Sequence, residues 1–187
     1  MLEYEKKVLL TKEEYIAIIN IMGKSPLETR QINYYFDTND LSMNSKGITC
    51  RIREKDGRYQ ATIKKHNAEQ AEHSIEEDIS TGATLDASAF ESMGLSYQCE
   101  LITDRTTLYM DSFCDVVVDR NTYLGHTDYE LEIEYWEKGK GHAQVLVERI
   151  AAMLVAEDVI ENPESFLVRE GRGKNKSQRF FERKQMR

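Results

Sequence analysis

Met1-Leu2-Glu3-Tyr4-Glu5-Lys6-Lys7-Val8-Leu9-Leu10 opens the chain, and its alternation decides the fold. In a strand, alternate side chains share a face. Glu3, Glu5 and Lys7 then point one way and Tyr4 and Val8 the other, with Lys6 interrupting the apolar side. A strand ordinarily hides its apolar face and wets the rest. Here the ordered face is charged, which points to a polar interior with the apolar face turned outward against helices.

The device recurs. Strands are expected over residues 2–10, 30–38, 48–54, 58–65, 73–79, 100–110, 114–120 and 128–136. Gln31, Asn33, Tyr35 and Asp37 share one face; Arg51 and Arg53 another; Thr62 and Lys64 a third. Glu76 pairs with Asp78, Arg105 with Thr103 and Thr107, Asp119 with Val117, and Glu130 with Glu132 and Glu134. An antiparallel sheet with one wet face accounts for any single strand. It does not account for the segregation of sign, because like charges on one strand face repel without counter-ions. An acidic surface and a basic surface, set across a closed antiparallel barrel, would face each other over a polar lumen.

That arrangement has a chemistry. Arg and Lys grip phosphate oxygens, Arg in bidentate fashion. Carboxylates repel phosphate but hold Mg²⁺ or Mn²⁺, hard cations that also take phosphate oxygens. A metal shared between the walls polarises a terminal phosphate and lowers the pKa of bound water. Little covalent chemistry is then asked of side chains.

Bulk properties narrow the classes. The chain has 187 residues, 40% hydrophobic and 31% charged, enough for one domain with a real core. Two prolines and no Gly/Ser-rich stretch leave no visible linker, so one domain over residues 1–187 is expected. A net charge of −8 argues against general nucleic-acid or anionic-membrane binding. No apolar run is long enough to span a bilayer, and no signal-peptide core is visible. Cys50, Cys99 and Cys114 read as reduced thiols of a cytoplasmic protein. They lack metal-type spacing, and His66, His73, His126 and His142 show no close pairing, so no zinc site is expected.

Helices fill the gaps. Thr11 and Glu14 have capping-box spacing ahead of a helix that Gly23 ends. Asp86 is placed to cap a short helix through Met93, with Leu85 and Phe90 spaced as a hydrophobic staple. Residues 142–157 are amphipathic, and a basic tail follows Pro163. Asp56-Gly57 marks a hairpin. The stretch 65–74 fits no pattern and reads as a loop or lid.

Taken in order, these segments resemble the CYTH domain, the triphosphate tunnel metalloenzymes. Glu3-x-Glu5-x-Lys7 is similar to the ExExK signature, Tyr35-Phe36-Asp37-Thr38 to a YFDT-type strand, Arg51-Ile52-Arg53 to an RxR strand, and Ile63-Lys64 to an LK strand. Arg105, Asp119, Leu124-Gly125 and Glu130-Leu131-Glu132 fit the second half, and Lys174 to Phe180 resembles the basic C-terminal segment of bacterial members. The resemblance implies an α+β fold built on a closed eight-stranded antiparallel tunnel with helices outside. It also implies metal-dependent hydrolysis of inorganic, thiamine or nucleoside triphosphate. By position, Glu3, Glu5, Asp119, Glu130 and Glu132 would hold Mg²⁺ or Mn²⁺. Lys7, Arg51, Arg53, Lys64, Arg105, Lys174 and Lys176 would bind phosphates. Glu3, Glu5 and Lys7 carry the catalytic signature, and Glu76 and Glu134 are further acidic candidates. Two departures stand out: Thr103 and Ser74 occupy positions where relatives often carry a basic residue.

Two other readings use the same grip. An adenylyl cyclase would add an adenine pocket and align the 3′ oxygen with the α-phosphate. A binding module would hold the triphosphate without turnover. The partner in each case is a triphosphate-containing small molecule, and Tyr97, Phe113, Trp136 and Phe180-Phe181 leave room for a homodimer interface, although such aromatics are more often core.

Overall fold

The computed structural model describes residues 2–23, 27–66 and 73–187. Eight antiparallel strands and peripheral helices make an α+β fold. The strands are β1 (Leu2–Leu10), β2 (Leu27–Asp37), β3 (Ile48–Lys55), β4 (Arg58–His66), β5 (His73–Gly82), β6 (Ser96–Met110), β7 (Cys114–Tyr123) and β8 (His126–Tyr135). Hydrogen-bonded neighbours run β1-β5-β4-β3-β2-β6-β7-β8, and β8 also pairs β1. Among the described residues, the β1–β5 seam matches Leu2, Glu3 and Tyr4 with Ile75, Ser74 and His73. Below it, the C-terminal segment binds β1 instead: Gly171 N–H donates to the Lys7 carbonyl at 2.9 Å and Arg169 Nη1 to the Leu9 carbonyl at 3.0 Å.

All eight expected strands form, and several run longer than their alternation announced, β5 to Gly82 and β7 to Tyr123 among them. β2 begins at Leu27 and β6 spans 15 residues from Ser96. Turn chemistry sets register at two hairpins. Asp56 and Gly57 (φ 52° and 71°) close β3–β4, and Leu124 and Gly125 (φ 46° and 64°) close β7–β8. Positive φ at both central residues matches the right-handed twist of the paired strands.

The helices are α1 (Lys12–Met22), α2 (Ser42–Ser45), α3 (Ser88–Ser92), α4 (Lys140–Ala156), α5 (Pro163–Leu167) and α6 (Lys176–Gln185). The Thr11–Glu14 capping box forms as expected, with Glu14 N–H donating to Thr11 Oγ1 and Thr11 N–H to Glu14 Oε2. The Asp86 cap is displaced. Ala87 stands at the cap of α3, Asp86 accepts from Ser88 N–H at 2.9 Å, and Leu85 is exposed.

Outward apolar faces build the core. Val8, Leu10, Val116, Val118, Leu131 and Ile133 pack under Leu146, Val147, Ile150 and Leu154 of α4. Each fully buried aliphatic side chain contributes about 2 kcal/mol. Ile133→Ala should therefore cost about 3 kcal/mol once the cavity it leaves is included. Lys6, which broke the apolar run, is buried on this outer face and ion-pairs with Glu170. A second cluster caps the sheet's interior, where Phe180 and Phe181 of α6 stack on Tyr35 at 4.8 and 5.7 Å between ring centres. The tail is thus a packed element, not a solvated end.

Candidate active site

Register carries the inward residues into one ring. Glu5 lies opposite Glu134 and Lys7 opposite Glu132. Glu130 lies opposite Asp119, which lies opposite Arg105. Across the sheet, Arg51 lies opposite Tyr35 and Thr62, and Lys64 opposite Glu76. The residues enclose a cavity of about 550 Å³ whose lining includes Glu5, Arg51, Arg53, Lys64, Arg105, Asp119, Glu132, Glu134 and Lys176. Lys7 and Glu130 lie buried beside them. Glu3 belongs to β1 by its backbone, and its side chain lies outside the described residues. So does most of the 65–74 stretch, of which residues 67–72 are undescribed.

The acidic wall is deeply buried. Asp119, Glu130 and Glu132 present carboxylate oxygens within 4.8 Å of one another, all three residues buried. Their charge is met by cations brought from three directions. Lys7 Nζ, from β1, lies 2.9 Å from Glu5 Oε1 and 3.6 Å from Glu132 Oε1. Arg105, from β6, is bidentate on Asp119 at 2.9 and 2.8 Å and reaches Glu132 and, at 2.7 Å, Glu134. Lys176, the first residue of α6, places Nζ 2.8 Å from Asp119 Oδ2, 2.5 Å from Glu130 Oε1 and 2.8 Å from Glu132 Oε1. The Asn175–Gln178 capping box fixes that helix start and so the position of Lys176.

Protonation follows from these pairs. Burial by itself would raise Glu132, but Lys176, Arg105 and Lys7 outweigh it and hold the carboxyl well below the usual range. Burial would likewise lower Lys7 and Lys176, and the surrounding carboxylates drive both upward instead. All these groups are therefore charged near neutral pH.

The basic wall is built differently. Arg51 Nη2 meets both oxygens of Glu76 at 3.1 Å, and Lys64 Nζ lies 3.9 Å from Glu76 Oε2. Burial opposes ionisation of Glu76, yet Arg51, Lys64 and Arg53 hold it at about 2. Arg53 Nε donates to Asn33 Oδ1 at 3.3 Å. One described carboxylate thus serves a wall carrying Arg51, Arg53 and Lys64.

The tail lysines separate. Lys176 enters the cavity, whereas Lys174 is exposed and pairs with Glu182 at 2.5 Å. A helix start between them turns the two side chains apart. Thr103, which seemed to leave a basic position vacant, is buried and donates to Asn121 Oδ1 at 2.8 Å. Sequence reasoning missed Arg179, which bonds Asp128 at 2.8 and 3.1 Å and Glu130 at 3.0 Å. It also missed Asn121, whose amide donates to Glu130 and Asp128 at 3.1 Å. Arg179 was legible only as one of several tail cations, and Asn121 carries no charge to flag it.

Comparison with known proteins bears on this arrangement. The CYTH domain model matches residues 1–143. The "Putative triphosphatase YjbK" of Bacillus subtilis (strain 168) is 27% identical, over 98% of this chain and 96% of that protein. A crystal structure from Bacillus halodurans, named as a putative adenylate cyclase, shares the fold with TM-score 0.65 and 24% identity, covering 96% of this chain and 97% of that one. The Hippeastrum protein HpAC1, described as a putative adenylyl cyclase with a dominant triphosphatase activity, shares it with TM-score 0.58 and 16% identity, over 80% and 87%.

Proposed function

This chain belongs to the CYTH domain family, and on that premise we propose that it hydrolyses a triphosphate inside its sheet with a divalent metal. In this reading the eight strands act as a closed tunnel. The C-terminal segment completes the β1–β5 seam, and residues 1–187 work as one domain. The observation that carries the reading is the facing of two walls across one cavity: Arg51, Arg53 and Lys64 on one side, Glu5, Asp119 and Glu132 on the other. The name of YjbK supports the same reaction class.

Asp119, Glu130 and Glu132 fit a hard cation, because three buried carboxylates converge within 4.8 Å and offer oxygen alone. Glu5 and Glu134 extend this set towards the cavity, and Glu3 would join it from β1. Mg²⁺ or Mn²⁺ bound there supplies Lewis-acid stabilisation of charge on the terminal phosphoryl group. Arg51, Arg53 and Lys64 hold the phosphate chain from the opposite wall, and Arg105 and Lys7 orient the carboxylates. Water attacks the terminal phosphorus, the bond to the bridging oxygen breaks, and orthophosphate and the shortened phosphate leave.

The test is phosphate release from tripolyphosphate, thiamine triphosphate, ATP and GTP, with Mg²⁺ or Mn²⁺. Release should need metal and vanish in Glu5→Gln. Release that persists with excess EDTA, or in that variant, would overturn the proposal. Cyclic AMP and pyrophosphate formed from ATP would assign the site to cyclisation instead.

A further inference from the structure

A second group of metal-type donors converges away from the cavity carboxylates. Asp111 sits in the turn between β6 and β7, Cys114 is the first residue of β7, and His142 lies in the first turn of α4. Backbone packing brings them together. Trp136 N–H donates to the Phe113 carbonyl at 3.1 Å, and a Cβ on Gly139 would fall 2.3 Å from that same oxygen. Only glycine lets the start of α4 approach so closely.

The three donors are then held in place. Asp111 Oδ1 accepts from Phe113 N–H at 2.7 Å and Cys114 N–H at 2.9 Å, and Tyr109 OH donates to Oδ2 at 2.8 Å. One carboxylate oxygen of Asp111, Cys114 Sγ and a His142 ring nitrogen all lie within 4.8 Å of one another. His142 Nε2 is buried, 3.1 Å from Asp111 Oδ2, and still makes no hydrogen bond among the described residues. An imidazole nitrogen beside a carboxylate oxygen normally donates to it. Two ligands of one tetrahedral ion, bonded at about 2.0–2.1 Å, stand about 3.3 Å apart without any such bond.

We propose that Asp111, Cys114 and His142 form a site for a divalent transition ion of the zinc class. Thiolate, imidazole and carboxylate together favour zinc or cobalt over Mg²⁺ and Mn²⁺, which prefer oxygen alone. Binding breaks the Cys114 S–H bond, forms the metal–thiolate bond and releases the proton to solvent, and water completes the fourth position. Part of the His142 side chain remains solvent-exposed, which leaves a path for entry. The ion would pin the β6–β7 turn to the start of α4. Linear spacing concealed the site, because His142 is distant in sequence from the other two residues.

Cobalt(II) titration of the chelator-stripped full chain tests this, since thiolate ligation gives a near-ultraviolet charge-transfer band that all-oxygen sites cannot produce. One equivalent should develop the band, and zinc should abolish it by displacement. Cys114→Ser and His142→Gln should lose it, with metal-dependent phosphate release unchanged. Should Cys114→Ser fail to fold, His142→Gln carries the test alone: zinc should raise the melting temperature of the parent chain by more than that of this variant, which keeps only the cavity carboxylates. No band in the parent chain, or a band of equal intensity in His142→Gln, would overturn the proposal.

Discussion

The acidic and basic walls of the cavity neutralise themselves by opposite routes. The acidic wall is served by Lys7 and Arg105 from the adjoining strands β1 and β6 and by Lys176 from the C-terminal helix α6. On the basic wall, Glu76 on β5 answers Lys64 on the adjoining β4 and Arg51 one strand further on, on β3. On the acidic wall the Lys176 ammonium stands at the carboxylates proposed to hold metal, so one cation would replace the other there. On the other wall, Arg51 and Lys64 meet Glu76, and Arg53 lies beside them in the cavity lining. The difference fits the proposed placement of metal on one side and phosphate on the other, and each part of that proposal can be broken separately.

The largest effect is expected from Glu132→Gln. It removes one charge from the carboxylate set while keeping its shape, and metal-dependent phosphate release should fall by about 10²-fold or more. Steady-state assays over a range of Mn²⁺ measure the loss. A variant within threefold of the parent would place the metal elsewhere.

Arg51→Ala should cost about 3 kcal/mol of stability, because it strips Glu76 of its bidentate partner in a buried setting. The double variant Arg51→Ala/Glu76→Ala should regain most of that stability and still bind tripolyphosphate poorly. Denaturant unfolding and calorimetric titration separate the two readouts. If the double variant bound tripolyphosphate as well as the parent, the basic wall would not be the phosphate wall.

Acid titration examines the same pair. Glu76 in the folded protein sits at about 2, below its ordinary 4.5. Its stabilisation is therefore fully present above about 4.5 and is lost as pH falls towards about 2. Melting temperature followed from pH 6 down to pH 2 should drop more steeply in the parent than in Glu76→Gln. Parallel curves would show that the pair does not govern acid stability.

The walls were legible in the sequence because strands have period two. Glu130, Glu132 and Glu134 read as one face from the sequence alone, whereas Lys7 opposite Glu132 follows from the pairing of β1 with β8, which no local pattern gives. What stayed hidden depends on elements that approach from outside the sheet. Nothing in Lys174-Asn175-Lys176 distinguishes the exposed lysine from the buried one until the helix start at Asn175 is known. The seam where Gly171 and Arg169 bind β1 has no periodic signal, because it is made of backbone carbonyls. The Asp86 cap was misplaced by one residue, a shift that a five-residue helix tolerates and no pattern resolves.

The exchange of cations at the acidic wall gives the smallest and most specific prediction. The ammonium of Lys176 lies within 2.8 Å of Asp119, Glu130 and Glu132, the same three carboxylates that fit a metal. An ammonium and a divalent ion cannot share that point, so metal must displace Lys176 as it binds. Lys176→Met keeps the length of the side chain and removes the competitor. Without metal, the variant should melt below the parent, since three buried carboxylates lose a counter-ion. With Mn²⁺ the order should narrow or reverse, because binding to the folded state adds stability by mass action. Calorimetric titration should show Mn²⁺ bound about tenfold more tightly, a gain of about 1.4 kcal/mol. Weaker binding in the variant would mean that Lys176 supports the metal site, and the tail would then be part of the acidic wall rather than its removable counter-ion.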